Sequence, residues 1–194
     1  MDKFSYAIGL GIGQNLKSMG AGEICVKDFS KAIQDILEGN ETAITHNEAR
    51  EIVNAFFADL EKKLTAKNIE QAQAFLAENK KKEGVVTTES GLQYEVIKKG
   101  EGKKPSATDQ VKCHYEGTLL DGTLFDSSVQ RGEPAVFGVN QVIPGWVEAL
   151  QLMSEGDKLK LYIPSELAYG AHGAGEMIPP HSALIFEVEL LEVL

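Results

Sequence analysis

Six aromatic residues after position 84 come from separate segments of the chain and could together line one apolar pocket. They are Tyr115, Phe125, Phe137, Trp146, Tyr169 and Phe186. Three polar groups are interleaved with them: the Asp126 carboxylate, the Arg131 guanidinium and the Tyr169 hydroxyl. Such rings can also fill an ordinary hydrophobic core, which is the role we expect for Phe137. For the other rings, the motifs that surround them favour a binding pocket.

The sequence offers no pattern for nucleophilic, metal or nucleotide chemistry. It contains no Gly-x-Ser-x-Gly nucleophile elbow. The histidines and cysteines, His46, His114, His172, His181, Cys25 and Cys113, have no spacing that suggests metal ligands. A glycine-rich run at residues 9–13 lacks the preceding strand and the spacing of a nucleotide-binding loop, so we interpret it as a site of close helix packing. We therefore expect neither a metal nor a cofactor.

Alternating apolar and polar residues predict a sheet in the second half of the chain. The alternation is clearest at residues 92–97, 111–116, 159–163 and 184–191, and it is typical of half-buried antiparallel strands. Asp121-Gly122 supplies a hairpin turn. Residues 146–152, entered through Pro144-Gly145, are the one helical candidate. The prediction is an α+β fold in which about five strands wrap around one short helix.

The first half is predicted to be helical. It contains none of the prolines, and apolar residues recur at helical spacing in residues 4–19, in residues 29–37 and along a long stretch from Thr45 to Glu83. A capping-box pattern at residues 45–48 marks the start of the long helix. The two short helices carry apolar stripes that the long helix cannot cover along its whole length. We favour a second copy of the chain as the cover, and a small intrachain bundle is the alternative.

Composition and charge limit the classes of partner. Of the 194 residues, 43% are hydrophobic and 25% are charged, and the mean hydropathy of −0.16 is typical of globular proteins. The net charge of −10 and the pI near 4.9 disfavour binding to nucleic acid or to an anionic membrane. No basic segment leads into an apolar one at the N-terminus. We therefore expect a cytoplasmic protein with reduced thiols, or a periplasmic one if a leader has been removed.

Ordered motifs from residue 91 onward resemble one enzyme family. They are His114-Tyr115-Glu116-Gly117, Asp121-Gly122-Thr123-Leu124-Phe125-Asp126-Ser127-Ser128, Val142-Ile143-Pro144-Gly145-Trp146, Ala168-Tyr169-Gly170, Ile178-Pro179-Pro180 and Leu184-Ile185-Phe186-Glu187-Val188-Glu189-Leu190-Leu191. In this order they resemble FKBP-type peptidyl-prolyl cis–trans isomerases. Residues 1–84 resemble, less specifically, the N-terminal region of the bacterial Mip-like subfamily. In that subfamily this region forms an intertwined dimer, and a long helix holds the catalytic domains apart.

The resemblance implies both a domain organisation and a set of site residues. The domains would be a helical dimerisation domain at 1–44, a long linker helix at 45–84 and an isomerase domain at 85–194. The implied catalytic residues are Tyr115, Phe125, Asp126, Ile143, Tyr169 and Phe186, and the implied substrate-binding residues are Arg131, Val142, Trp146, Met177 and Ile178. Trp146 would form the pocket floor. The Ile143 N–H and the Tyr169 hydroxyl would bind substrate carbonyls, and Asp126 would pair with Arg131.

The rim of the implied pocket departs from the family pattern. Ala135 and Ala174 stand where many relatives carry an aromatic residue or a histidine, and Met177 stands where isoleucine is common. These changes bear on the binding of the family's macrolide inhibitors and on the preference for the residue before proline.

The resemblance implies isomerisation of X–Pro bonds in polypeptide clients, with chaperone-like client binding in the cleft of a homodimer. A chaperone with marginal isomerase activity, or a structural dimer whose helical half binds a dedicated partner, are the alternatives.

Overall fold

The computed structural model describes residues 1–194, which form two compact units, Met1–Lys63 and Leu64–Leu194. The boundary lies inside one continuous helix, so the two parts of that helix belong to different units. No helix of the chain is both long enough and apolar enough to cross a bilayer.

The N-terminal unit consists of α1 (Lys3–Ser18), α2 (Val26–Glu38) and the first part of α3 (His46–Asn79). The helix ends have local causes. The Asp2 carboxylate accepts a hydrogen bond from the Ser5 N–H at 2.8 Å and caps α1, and Gly39 ends α2 with a φ of 70°. The predicted capping box is present, because the Glu48 carboxylate accepts from the Thr45 N–H at 2.8 Å and the Thr45 hydroxyl accepts from the Glu48 N–H at 3.2 Å.

The N-terminal unit has little hydrophobic core of its own. No residue of α1 is buried, and Asp35 is the one buried residue of α2. Large apolar side chains remain exposed: Phe4 is 73% exposed, Leu37 80% and Ile52 58%. The apolar stripes expected from the sequence are therefore present, and they are not covered within this unit.

The helix α3 ends earlier than the sequence predicts. The uninterrupted helical pattern extends to Glu83, whereas the helix ends at Asn79 and the chain then turns through residues 80–84. Asn79 is fully buried, and its side-chain amide donates a hydrogen bond to Gln93 Oε1 at 3.0 Å. This tertiary contact fixes the last turn of α3, and a local sequence pattern cannot reveal it.

The last four turns of α3 pack within the C-terminal unit. Buried and half-buried positions recur at 65, 68, 69, 72, 75, 76 and 79, which is the spacing of one helix face. Phe75 contacts Tyr162, with ring centroids 5.8 Å apart. The Gln93 side chain donates to the Leu76 carbonyl at 2.9 Å. This part of α3 is therefore a structural element of the C-terminal unit.

One antiparallel sheet of seven strands forms the centre of the C-terminal unit. Its strands are β1 (Val86–Thr87), β2 (Gln93–Lys98), β3 (Gln110–Leu119), β4 (Leu124–Ser127), β5 (Ala135–Gly138), β6 (Lys158–Ile163) and β7 (Leu184–Val193). Their order is β1-β2-β6-β7-β3-β4, and β5 also pairs with β3. The four longer strands coincide with the predicted alternations. The other three have two to four residues each, which is too short for an alternation to be recognised.

Two helices complete the C-terminal unit. The single-turn α4 (Ser128–Arg131) directly follows β4, and α5 (Pro144–Leu152) contributes Trp146, Ala149 and Leu150 to the core against the sheet. The predicted α+β class, with helices first and then an antiparallel sheet around one short helix, is confirmed. The short helix and the middle of the sheet are the elements that position the aromatic residues singled out above.

Candidate active site

The C-terminal unit contains a cavity of about 670 Å³. It is lined by Tyr115, Phe125, Asp126, Phe137, Gln141, Val142, Ile143, Trp146, Tyr169, Ala174, Gly175, Glu176, Met177, Ile178 and Phe186. These residues come from β3, β4, β5, β7, the segment between β5 and α5, the first turn of α5 and the loop between β6 and β7. The size and the largely apolar lining suit a small ligand or a short peptide segment.

Aromatic rings pack edge to face around Trp146. The centroid of its ring lies 5.3 Å from that of Tyr115, 5.3 Å from that of Phe186 and 5.6 Å from that of Phe137, with interplanar angles of 88°, 84° and 78°. Edge-to-face pairs contribute about 0.5–1.5 kcal/mol each beyond their buried area. Trp146 is only 4% exposed, so three neighbouring rings fix the orientation of the cavity floor.

Gly117 on β3 allows two walls of the cavity to meet. Phe125 and Phe186 form an edge-to-face pair with centroids 5.4 Å apart. A Cβ atom at position 117 would lie 2.6 Å from atoms of both rings, well inside the usual separation of non-bonded carbon atoms. The strand therefore needs glycine here, because any side chain would force the two rings apart.

The polar groups of the site form one connected network. The Tyr115 hydroxyl donates to Asp126 Oδ2 at 2.5 Å. Arg131 donates to Asp126 Oδ1 and, at 2.8 Å, to the Tyr115 hydroxyl oxygen. The Arg131 guanidinium also lies 5.5 Å from the centroid of the Tyr115 ring, within the range of a cation–π contact. Because α4 follows β4 without a loop, its last residue, Arg131, lies close to Asp126 on β4, five residues earlier in the chain.

This network sets the protonation states of its members. Burial, together with the hydrogen bond to Asp126, raises the pKa of Tyr115 above 10.0, so its hydroxyl remains a neutral donor. Partial burial opposes the ionisation of Asp126, but the hydrogen bonds from Tyr115 and Arg131 outweigh it and hold the pKa of this carboxyl below 3.8. The hydrogen bond to Asp126 raises the pKa of Arg131. At neutral pH the network therefore carries a fixed ion pair and is not arranged to transfer a proton.

Two further groups can reach a carbonyl oxygen of a ligand. Ile143 lines the cavity as the N-cap residue of α5, and its N–H makes no hydrogen bond to another backbone group. Tyr169 lines the cavity from the loop between β6 and β7, and it is 39% exposed. The floor and walls of the cavity are thus apolar, while hydrogen-bond donors stand at its edge.

The structure brings together nearly all of the residues singled out from the sequence. The six expected catalytic residues line the cavity: Tyr115, Phe125, Asp126, Ile143, Tyr169 and Phe186. Of the expected substrate-binding residues, Val142, Trp146, Met177 and Ile178 line it as well. Arg131 does not line the cavity, and it contacts Asp126 and Tyr115 instead.

Phe137 packs against the hydrophobic core, as the sequence suggests, and its ring also lines the cavity beside Trp146. The strand β5 alternates, so that Val136 is 52% exposed while its neighbour Phe137 points inward. Gln141 and Glu176 also line the cavity. They are polar loop residues, and nothing in the local sequence distinguishes them from other surface positions.

A largely apolar cavity with hydrogen-bond donors at its edge, and with Asp126 held as a carboxylate by Tyr115 and Arg131, suits the binding and orientation of a peptide segment. Residues 101–191 match the family model described as "FKBP-type peptidyl-prolyl cis-trans isomerase", and residues 1–96 match "Domain amino terminal to FKBP-type peptidyl-prolyl isomerase". The chain belongs to the FKBP-type peptidyl-prolyl cis–trans isomerases, and it is an enzyme of that class.

Individual relatives match along almost the whole chain. The chain is 52% identical to "FKBP-type 22 kDa peptidyl-prolyl cis-trans isomerase" of Escherichia coli, over 98% of this chain and 94% of that protein. It is 42% identical to "Outer membrane protein MIP" of Legionella longbeachae, over 99% of this chain and 85% of that protein. Its fold matches the crystal structure of FkpA from Escherichia coli with a TM-score of 0.81 and 35% identity, covering 98% of this chain and 95% of that one.

Proposed function

We propose that the cavity residues carry the isomerase activity by desolvating and orienting an X–Pro amide. The observation that supports this proposal is the edge-to-face cluster around Trp146, beside an ion pair with fixed protonation. The proline ring would lie on Trp146, between the walls formed by Phe125 and Phe186. The Ile143 N–H and the Tyr169 hydroxyl would donate hydrogen bonds to substrate carbonyls. Asp126, held by Tyr115 and Arg131, would lie near the twisting amide.

This arrangement fits the energy that the reaction requires. Amide resonance opposes rotation about an X–Pro bond with a barrier of roughly 18–20 kcal/mol. Resonance and charge separation are lost in the twisted transition state, so a water-poor pocket disfavours the planar ground state relative to the twisted one. Raising a rate of about 0.01 per second to 10–1000 per second requires only about 4–7 kcal/mol. Apolar contacts, fixed orientation and one or two hydrogen bonds can supply that amount.

Substitution of the walls and of the carboxylate tests the pocket. Phe125→Ala and Asp126→Leu should each lower kcat/KM for a short X-Pro peptide by at least about tenfold, which is about 1.4 kcal/mol. Val136→Ala is the matched control, since Val136 lies on β5 beside Phe137 but is 52% exposed and outside the cavity. Circular dichroism and the unfolding midpoint verify the fold of each variant. Well-folded variants with the activity of the parent chain would refute the pocket assignment.

We propose further that residues 1–44 form a dimerisation domain, that residues 45–84 connect it to the isomerase domain, and that the isomerase domain comprises residues 85–194, with the last four turns of α3 packed in the same compact unit. The exposed apolar side chains of α1 and α2 support a second copy as their cover. In such a dimer a client released from one pocket can be captured by the second, which raises its effective concentration. Suppression of the aggregation of an unfolded protein, compared between the full chain and residues 64–194, tests this chaperone-like role.

The rim and the compartment are separate proposals. Ala174 lines the cavity, whereas Ala135 packs against the core outside the lining. Both side chains are smaller than an aromatic residue, so we expect family macrolide inhibitors to bind through the floor and walls with reduced rim contact. A titration followed by Trp146 fluorescence measures this affinity.

The expected cytoplasmic location finds no support in the relative titled "Outer membrane protein MIP", and we propose the periplasmic alternative. Fractionation of cells that express the native gene distinguishes the two compartments.

A further inference from the structure

The loop between β6 and β7 forms one rim of the cavity. Its tip is a short hairpin, in which the Ala174 N–H donates to the Ile178 carbonyl at 2.9 Å and the Ile178 N–H donates to the Ala174 carbonyl at 3.1 Å. Ala174, Ile178 and the three residues between them all line the cavity. The position of this hairpin therefore determines how far the rim reaches over a bound peptide.

Two hydrogen bonds at the base of the loop meet at one peptide unit, Pro180–His181. Its N–H, from His181, donates to the Gly170 carbonyl at 2.8 Å. Its carbonyl, from Pro180, accepts a hydrogen bond from the Asn68 side-chain amide at 3.0 Å. Rotation of this peptide unit would break both bonds together. Gly170 directly follows Tyr169, so the same peptide unit connects α3 to both sides of the rim.

The local sequence gives this peptide unit limited support. Pro179 and Pro180 have no N–H group, so neither can donate a backbone hydrogen bond within the loop. His181 is the one residue other than glycine with a positive φ, 57°. This conformation is disfavoured for a residue that has a Cβ atom. Within the loop, the His181 N–H bonds to Gly170 and the Ser182 hydroxyl donates to the Pro179 carbonyl at 2.7 Å. Asn68 adds the hydrogen bond from outside the loop that holds the Pro180 carbonyl.

Asn68 belongs to the face of α3 that packs within the C-terminal unit. It is half-buried there, one turn before the buried Ala72. A polar side chain on such a face is costly unless it makes hydrogen bonds. Its bond to Pro180 spans 112 positions of the chain, so it is a tertiary contact and not part of the capping or solubility of the helix.

We propose that Asn68 is a positioning residue for the isomerase reaction. Through the Pro180–His181 peptide unit it sets the position of the 174–178 hairpin and of Tyr169. The proposal rests on the pocket proposed above. Loss of the Asn68 amide should leave the floor and walls intact and loosen the rim, so it should affect the contacts of the residue before proline more than the binding of proline itself.

The test compares three variants of the full chain. Asn68→Ala removes the donor, and Asn68→Asp keeps the shape but places a carboxylate against the Pro180 carbonyl. Asn54→Ala is the matched control, an exposed asparagine of the same helix that makes no side-chain hydrogen bond. The readouts are kcat and KM for tetrapeptides with different residues before proline, and hydrogen exchange of the amides of Ala174, Ile178 and His181.

We expect Asn68→Ala to lower kcat/KM about fivefold for the most discriminated peptides, which corresponds to about 1 kcal/mol, and to reduce the differences between peptides. The amides of the loop should exchange faster, while those of β3 and β7 stay protected. Asn68→Asp should do the same, and Asn54→Ala should match the parent chain. Unchanged peptide preference with unchanged loop exchange overturns the proposal. A uniform loss of stability without faster exchange of the loop also overturns it, since it assigns Asn68 a purely structural role. Phe125→Ala tests the pocket separately, so failure of the pocket and failure of the Asn68 proposal give different results.

Discussion

A pair of truncated chains should reveal how much of the C-terminal unit depends on α3. One fragment would begin at Leu64, where the unit begins, and the other at Gly84, after the helix has ended. The shorter fragment lacks three hydrogen bonds, from Asn68 to Pro180, from Asn79 to Gln93 and from Gln93 to Leu76. It also lacks the aromatic contact of Phe75 with Tyr162.

The lost contacts predict a measurable drop in stability. A neutral hydrogen bond contributes about 1 kcal/mol net, and an aromatic pair contributes about 1 kcal/mol. The shorter fragment should therefore lose about 4 kcal/mol, a large share of the roughly 5–15 kcal/mol that stabilises an ordinary domain. For a domain of this size each kcal/mol lowers the unfolding midpoint by roughly 3–5 °C, so we expect a difference of about 10–20 °C.

Thermal unfolding of both fragments, followed by far-UV circular dichroism and by Trp146 fluorescence, measures this difference. Tetrapeptide isomerisation measured at 10 °C, well below both transitions, separates activity from stability. We expect the longer fragment to match the full chain on the tetrapeptide and the shorter one to lose a few-fold in kcat/KM, because it lacks Asn68. Midpoints within about 3 °C of each other would show that α3 only touches the sheet, and the reasoning about the helix would then be refuted.

Three further predictions concern charge, thiols and assembly. The pKa of Asp126 is lowered on folding, so the contribution of its carboxylate to stability is complete above the pKa of the unfolded chain and is lost as pH falls through the pKa of the folded protein. Because Asp126 stays ionised at higher pH, kcat/KM should be flat between about pH 5.5 and 8 and should fall only below about pH 4. A midpoint of the pH profile near neutral pH would contradict this. Burial raises the pKa of the Cys113 thiol to about 12, whereas Cys25 is exposed. A thiol reagent should therefore modify one cysteine in the native protein and two after unfolding. Neither this reagent nor a chelator should change the activity, and inactivation by either would count against the pocket. Light scattering should give twice the chain mass for the full protein and a monomer for residues 64–194, and a monomeric full chain would remove the role assigned to the N-terminal helices.

Local patterns are sufficient to locate most elements of this fold. The capping box at Thr45 marks the start of α3 correctly, because it acts through bonds to residues nearby in sequence. The end of α3 was misplaced by four residues, because Asn79 is fixed by Gln93 across the unit. Elements whose ends depend on contacts between distant segments require the tertiary structure.

The residues of the site also fall into those that local motifs predict and those that only tertiary contacts reveal. Motifs with distinctive residues, such as those around Tyr115 and Trp146, indicate the floor and walls, because rings from separate segments meet in one cavity. The rim residue Glu176 and the tether Asn68 are ordinary polar residues in the sequence. Glu176 lines the cavity and Asn68 bonds to the loop only because of where the folded backbone places them. The residue types alone do not reveal these positions.

The glycine at position 117 has a consequence for attempts to redesign the pocket. With Phe125 and Phe186 in contact above a strand that has no room for a methyl group, the floor and walls behave as an interlocked unit in which one replacement disturbs several neighbours. The 174–178 hairpin is held by two hydrogen bonds within it, by three at its base and by the buried side chain of Ile178. An engineer who wants a new substrate range should therefore vary Glu176 and Met177, which are exposed, and leave the rings and Ile178 untouched, since these pack in or against the core.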